Sequence, residues 1–204
     1  MINKKMLELG QKRSVIREIF EYGNKRRAEI GAENVFDFSL GNPSIPAPEQ
    51  VNNTMVKLLT ETDPIKIHGY TSAQGDLSVR TTIAESINKR FSANATPDLI
   101  YMTCGAAASL TITLNAIINT GDEVIALAPY FPEYRVFAEK AGANFAVSRC
   151  REEDFQIDFE NLEKTITNKT KAIIVNSPNN PTGVVLSSDT VTKLASLLNR
   201  KQQE

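Results

Sequence analysis

Three short stretches of this chain carry residue types whose order and spacing could do chemistry. Gly105, Ala106, Ala107 and Ala108 sit between the apolar run LIYMT and a helix-spaced segment holding Leu110, Leu114, Ile117 and Ile118. Residues without bulk at a helix start leave the unpaired backbone N–H groups open to a ligand, and the helix dipole there favours a phosphate. Close packing of a helix on a strand would call for the same small residues. The segment lacks the three spaced glycines of a dinucleotide fingerprint and the GK[ST] of a P-loop. A second stretch, NSPNNPTG at 176–183, directly follows KAIIVN. Ligands of open α/β sheets bind beyond the carboxyl ends of the strands, so side-chain amides there can be held towards a bound ring. Turn propensity alone also accounts for Asn, Pro and Gly in a loop. The third stretch, PYFPEY at 129–134, follows the run EVIALA. Its rings suit stacking on a flat heterocycle, and equally a place in the core.

Other chemistries find no footing. Cys104 and Cys150 have neither a CxxC spacing nor nearby histidines, which argues against a disulfide framework and against zinc. His68, the single histidine, lies in a polar segment with no carboxylate pattern beside it and reads as a surface or packing residue. GxSxG and HExxH are absent. With 23 basic and 24 acidic residues the chain has no field to gather nucleic acid or an anionic membrane. Charges interrupt MINKKMLELGQKRS every few residues, and no later stretch has the length of an apolar span, so a cytoplasmic protein is expected.

The elements that must position these stretches follow from periodicity. Val15, Ile16, Ile19, Phe20 and Tyr22 have helical spacing ending at Gly23 or Gly31, and VFDFSL alternates as a short strand. Pro48 is placed as a first helical residue before Val51, Met55, Leu58 and Leu59, and Leu77, Ile83, Ile87 and Phe91 mark another helix. From residue 99 onward, strands at about 99–103, 123–128, 144–149 and 171–176 alternate with helices, the last of them SSDTVTKLASLLNR. Such alternation predicts an α/β fold, a mostly parallel sheet with helices on both faces. The expected division is a helical N-terminal lobe over 1–95 and the first part of a large α/β domain over 96–204.

Taken in order, GNPS at 41–44, YTSAQGDLSVR at 70–80, TCGAAASL at 103–110, APYFPEY at 128–134 and NSPNNPTG at 176–183 resemble successive motifs of the class I/II aminotransferases. These are pyridoxal 5'-phosphate enzymes of fold type I, and the resemblance covers their first half. It implies that the backbone of Gly105, Ala106 and Ala107 cradles the cofactor phosphate, and that Phe131 stacks on the pyridine ring, with Tyr130 the alternative one position earlier. Asn180 matches the asparagine that hydrogen-bonds the cofactor's phenolic oxygen and helps orient the substrate carboxylate. Gly41 matches the glycine whose backbone lies against the substrate. Tyr70 resembles the tyrosine that reaches a partner subunit's phosphate, which implies a homodimer.

The resemblance further implies amino-group transfer between an amino acid and a 2-oxoacid. In the family the Schiff-base lysine, the aspartate on the pyridine nitrogen and the carboxylate-binding arginine all come later than the motifs present here. These 204 residues are therefore expected to be inactive alone, with strand edges unpaired and apolar faces uncovered. A carbon–sulfur lyase, a decarboxylase or an aminocyclopropane-carboxylate synthase would share most of the motifs. A reading from another class is a non-catalytic truncated fragment or an assembly module that pairs with a separate chain.

Overall fold

Helices lead into the sheet, and each begins and ends where its local chemistry allows. The computed structural model describes residues 2, 4–11, 15–41, 43 and 45–203. Its elements are α1 (Lys4–Gln11), α2 (Val15–Ile30), α3 (Glu49–Glu61), α4 (Pro64–His68), α5 (Leu77–Phe91), α6 (Gly105–Ile117), β1 (Glu123–Ala128), α7 (Glu133–Lys140), β2 (Asn144–Arg149), α8 (Phe159–Thr165), β3 (Thr170–Ile174) and α9 (Ser188–Gln203). Chain contacts divide it into two compact units, Met1–Tyr70 and Thr71–Glu204.

In the first unit, α2 runs the longer of its two expected courses, to Ile30, and ends before Gly31. VFDFSL, expected as a strand, forms none. The Asp37 carboxylate instead turns back to accept the Ser39 N–H at 2.9 Å and lies 3.4 Å from the Arg27 guanidinium of α2. That local ring replaces a strand ladder and leaves Phe36 and Phe38 82% and 92% exposed. Pro48, expected as the first helical residue, is the N-cap of α3, which begins one position later at Glu49. The unexpected α4 carries a legible start signal, since Asp63 caps the Ile65 N–H with Pro64 at the first position.

The second unit is built on a three-stranded parallel sheet in the order β2-β1-β3. β1 is central, and Val124, Ile125 and Ala126 are fully buried, as a continuous apolar run covered on both faces requires. Alternate residues feed opposite cores. Ile125 and Leu127 pack with Leu162 of α8 and Leu194 and Leu197 of α9. Val124 packs with Leu114 of α6 and Ala138 of α7.

The strand expected at 99–103 does not form. Pro97–Leu99 is a single 3-10 turn, and 100–103 run on without a ladder among the described residues. A strand needs a hydrogen-bonding neighbour, and beyond bonds to residues two or three positions away this segment makes one from Met102 N–H to the Gln74 carbonyl at 2.9 Å. Leu99 and Tyr101 are accordingly exposed. The last strand begins one residue before the expected 171 and ends at Ile174. Among the described residues no helix is long and apolar enough to cross a membrane, and no group of acidic, histidine and cysteine residues is arranged to hold a metal.

Candidate functional site

α6 starts without a cap. Cys104 is its N-cap residue and makes no side-chain capping bond, and the first turn contains no acidic residue. Gly105 N–H donates to the Thr103 carbonyl at 2.9 Å, and the N–H groups that follow it in the first turn have no intrahelical acceptor and no competing anion from their own turn. Gly105 has φ of +84°, a conformation that costs a side chain about 1–2 kcal/mol, and the space a Cβ would enter is open. Gly105, Ala106 and Ala107 are all exposed. This is an accessible donor cluster without bulk, and it fits a phosphate.

A second group of interactions holds the approach to α6. Arg80 of α5 is buried, donating from Nε to the Gly75 carbonyl at 3.2 Å and from Nη1 to the Pro97 carbonyl at 2.6 Å. Gly75, at φ of +100°, lies so close to Met102 that a Cβ there would stand 2.5 Å from the Met102 side chain. The turn at 72–75 is thus clasped to the segment that enters α6. Neither residue was singled out by sequence reasoning, because a helical arginine ordinarily reads as a solvated face.

β1 and β3 are adjacent and parallel, so the loops that leave them emerge at the same edge of the sheet. After β1, the Tyr130 ring meets Phe145 of β2 edge-on at 5.3 Å, and the Phe131 ring meets Tyr134 of α7 edge-on at 5.7 Å. Both rings remain partly exposed. After β3, Asn180 is exposed, whereas the side chain of Asn179 turns inwards. Asn179 Nδ2 donates to the Pro129 carbonyl at 2.9 Å and to Thr182 Oγ1 at 3.1 Å. The far end of the same loop is held by Gln156, whose Oε1 accepts from Ser187 N–H at 3.0 Å and whose Nε2 donates to the Val185 carbonyl at 3.1 Å.

Beneath these loops lies a cavity of about 20 Å³, room for roughly one water molecule, lined in part by Tyr134, Cys150, Asn176 and Asn179. Burial pushes both the Tyr134 hydroxyl and the Cys150 thiol upward, and Asp158 and Asp154 raise the thiol further. Both stay protonated at neutral pH. Of the remaining residues singled out by sequence, Tyr70 and Gly41 belong to the first unit and are exposed, Tyr70 completely. Asn42 and Ser44 of the GNPS motif lie outside the described residues. The second unit thus brings the Phe131 and Asn180 loops together.

The family described as aminotransferase class I and II matches residues 33–203. The chain belongs to that family. An amino transferase from Eubacterium rectale superposes with a TM-score of 0.96 at 51% identity, over 100% of this chain and 51% of that one. The aspartate aminotransferase of Thermotoga maritima is 32% identical over 188 residues, 91% of this chain and 49% of its own length. A (5-formylfuran-3-yl)methyl phosphate transaminase of Methanocaldococcus jannaschii is 34% identical over 164 residues, 80% of this chain and 41% of its own length. The expected α/β, fold type I class is therefore that of the aminotransferase family, and the chain spans about half the length of these relatives.

Proposed function

We propose that this chain supplies the phosphate-binding and ring-binding part of a pyridoxal 5'-phosphate site, in an aminotransferase acting on an amino acid and a 2-oxoacid. The observation that carries the reading is the uncapped, bulkless start of α6 at Gly105, Ala106 and Ala107. An anion there accepts from the Ala106 and Ala107 N–H groups, which have no intrahelical acceptor, and from Gly105 N–H once it leaves the Thr103 carbonyl, in a field that favours negative charge. The length of α6 supports the same placement. Its 13 residues rise about 20 Å, close to the span of six residues in a strand, so a helix packed back along β1 starts near the strand's carboxyl end.

The remaining roles follow the resemblance. Phe131 stacks on the cofactor ring, with Tyr130 the alternative one position earlier; each ring makes one edge-on contact, Phe131 with Tyr134 and Tyr130 with Phe145, and keeps part of its surface open. The exposed Asn180 amide donates to the phenolic oxygen and orients the substrate carboxylate, and the Gly41 backbone lies against the substrate. Tyr70, fully exposed, reaches the phosphate of a partner subunit in a cytoplasmic homodimer. When bound, the cofactor supplies the electron sink that lets a proton leave the amino acid's α-carbon. This chain's residues anchor and orient, while the lysine that moves the proton, with its aspartate and arginine partners, is assigned to sequence outside these residues.

Complementation tests this function. The chain is mixed with the separately produced second half of the Eubacterium rectale transferase, and keto acid formation from a panel of amino acids is followed with pyridoxal 5'-phosphate present. The reading expects product in the mixture and none from either half. A mixed complex that binds cofactor and releases no keto acid would overturn the transaminase assignment.

A further inference from the structure

We propose that Asn179 is a positioning residue, whose amide ties the Pro129 carbonyl to the NSPNNPTG loop so that the Phe131 ring and the Asn180 amide are held in fixed relation. The proposal deepens the cofactor-site reading above and rests on it.

The geometry leaves Asn179 little other use. Its Nδ2 carries two hydrogens, and both are engaged, one by the Pro129 carbonyl at 2.9 Å and one by Thr182 Oγ1 at 3.1 Å. A carbonyl accepts only, so the amide nitrogen and not its oxygen must face Pro129. The backbone of the same residue closes its own loop, with Asn179 N–H donating to the Val184 carbonyl at 2.9 Å and its carbonyl accepting from Gly183 N–H at 2.7 Å. Asn179 is therefore fixed at both ends. Pro129 stands two residues before Phe131, whose carbonyl accepts from Tyr134 N–H at 3.0 Å and so joins α7. Asn180, the next residue after Asn179, is exposed with no hydrogen-bond partner among the described residues. One amide thus spans 50 residues of sequence and joins the strand ends that carry a ring stacker and a phenolate donor. A loop free to shift by an ångström would misplace both groups at once.

Two measurements on the chain itself separate this proposal from its premise. The first reads the tie. Cys150 shares the small cavity with Asn179 and is half-buried, whereas Cys104 is exposed. In a Cys104→Ser background, Asn179→Ala is expected to raise the alkylation rate of Cys150 by about tenfold through local opening. Thr182→Val, which keeps the bond to Pro129, is expected to change that rate less than about threefold. Cys150 reacting in the unsubstituted chain as fast as Cys104, or Thr182→Val matching Asn179→Ala, overturns the tie.

The second measurement reads positioning with pyridoxamine 5'-phosphate, which has no aldehyde to react with surface lysines. Asn179→Ala is expected to keep its dissociation constant within about threefold, because the phosphate contacts are untouched, and to lose the circular dichroism induced in its ring band. An unchanged induced signal beside an opened Cys150 leaves Asn179 as a structural bond only and overturns the positioning role. No binding by the unsubstituted chain, with Cys150 protected as expected, defeats the cofactor-site reading and with it the positioning role, while the tie itself stands.

Discussion

Placing a carboxylate at the start of α6 separates a binding site from a mere helix end. Ala106 is exposed in the first turn, which contains no acidic residue and has no side-chain cap. In Ala106→Asp the new charge meets the positive end of the helix dipole, worth about 0.3–1 kcal/mol to the helix. Amide exchange along α6 should slow by about two- to fivefold. The same charge stands within a few ångströms of any phosphate the N–H groups hold. Two unit charges at 4 Å repel by about 1 kcal/mol in water and about 4 kcal/mol near a protein surface. A net loss of about 2 kcal/mol, roughly 30-fold in affinity for pyridoxamine 5'-phosphate, is expected from fluorescence titration. Stability and binding therefore move in opposite directions, and in 1 M salt the binding loss should shrink. Affinity unchanged in Ala106→Asp, with α6 stabilised, would refute the reasoning, because no anion could then sit at this helix start.

Further outcomes follow from other parts of the structure. Asn180→Ala, in the complemented enzyme, should cost about 1–3 kcal/mol of cofactor or transition-state binding, and an unchanged ring spectrum with unchanged turnover removes Asn180 from the site. Leu162 is fully buried against Ile125 and Leu197, and Leu162→Ala should lower the opening free energy of β1 amides by about 2–5 kcal/mol, read by hydrogen exchange. Burial raises the Cys150 thiol, so its folded pKa lies above its unfolded one. The protonated form is the one the fold favours, and that contribution is intact below the unfolded thiol range and lost as pH rises through the folded value. In a Cys104→Ser chain, alkylation of Cys150 should therefore start to accelerate at a higher pH in the folded state than in denaturant, and coincident profiles would contradict the burial.

The sequence was most legible where one physical signal dominates. EVIALA had to be a strand buried on both faces, and Val124 and Ile125 do feed opposite cores. The start of α6 was legible from its small residues together with the helical spacing of Leu110, Leu114, Ile117 and Ile118. Strand patterns failed where the pattern was right and the partner was missing. LIYMT has the apolar run of a strand but no neighbouring ladder among the described residues, and VFDFSL alternates while the Asp37 carboxylate captures the Ser39 N–H. Asn179 was invisible for another reason. Asn176, Asn179 and Asn180 are chemically alike in sequence, and only the 50-residue contact to Pro129 tells the inward amide from the outward one. Arg80 and Gly75 were equally silent, since their use depends on where residues 97–102 pass.

The central claim is that the N–H groups opening α6 hold the phosphate of the cofactor. Amide chemical shifts of Gly105, Ala106 and Ala107 followed through a titration with pyridoxamine 5'-phosphate test it most directly. Saturating downfield shifts at these three amides are predicted, with none on adding pyridoxamine, which lacks the phosphate. Binding that leaves these amides unmoved, or equal shifts with pyridoxamine, would contradict the account.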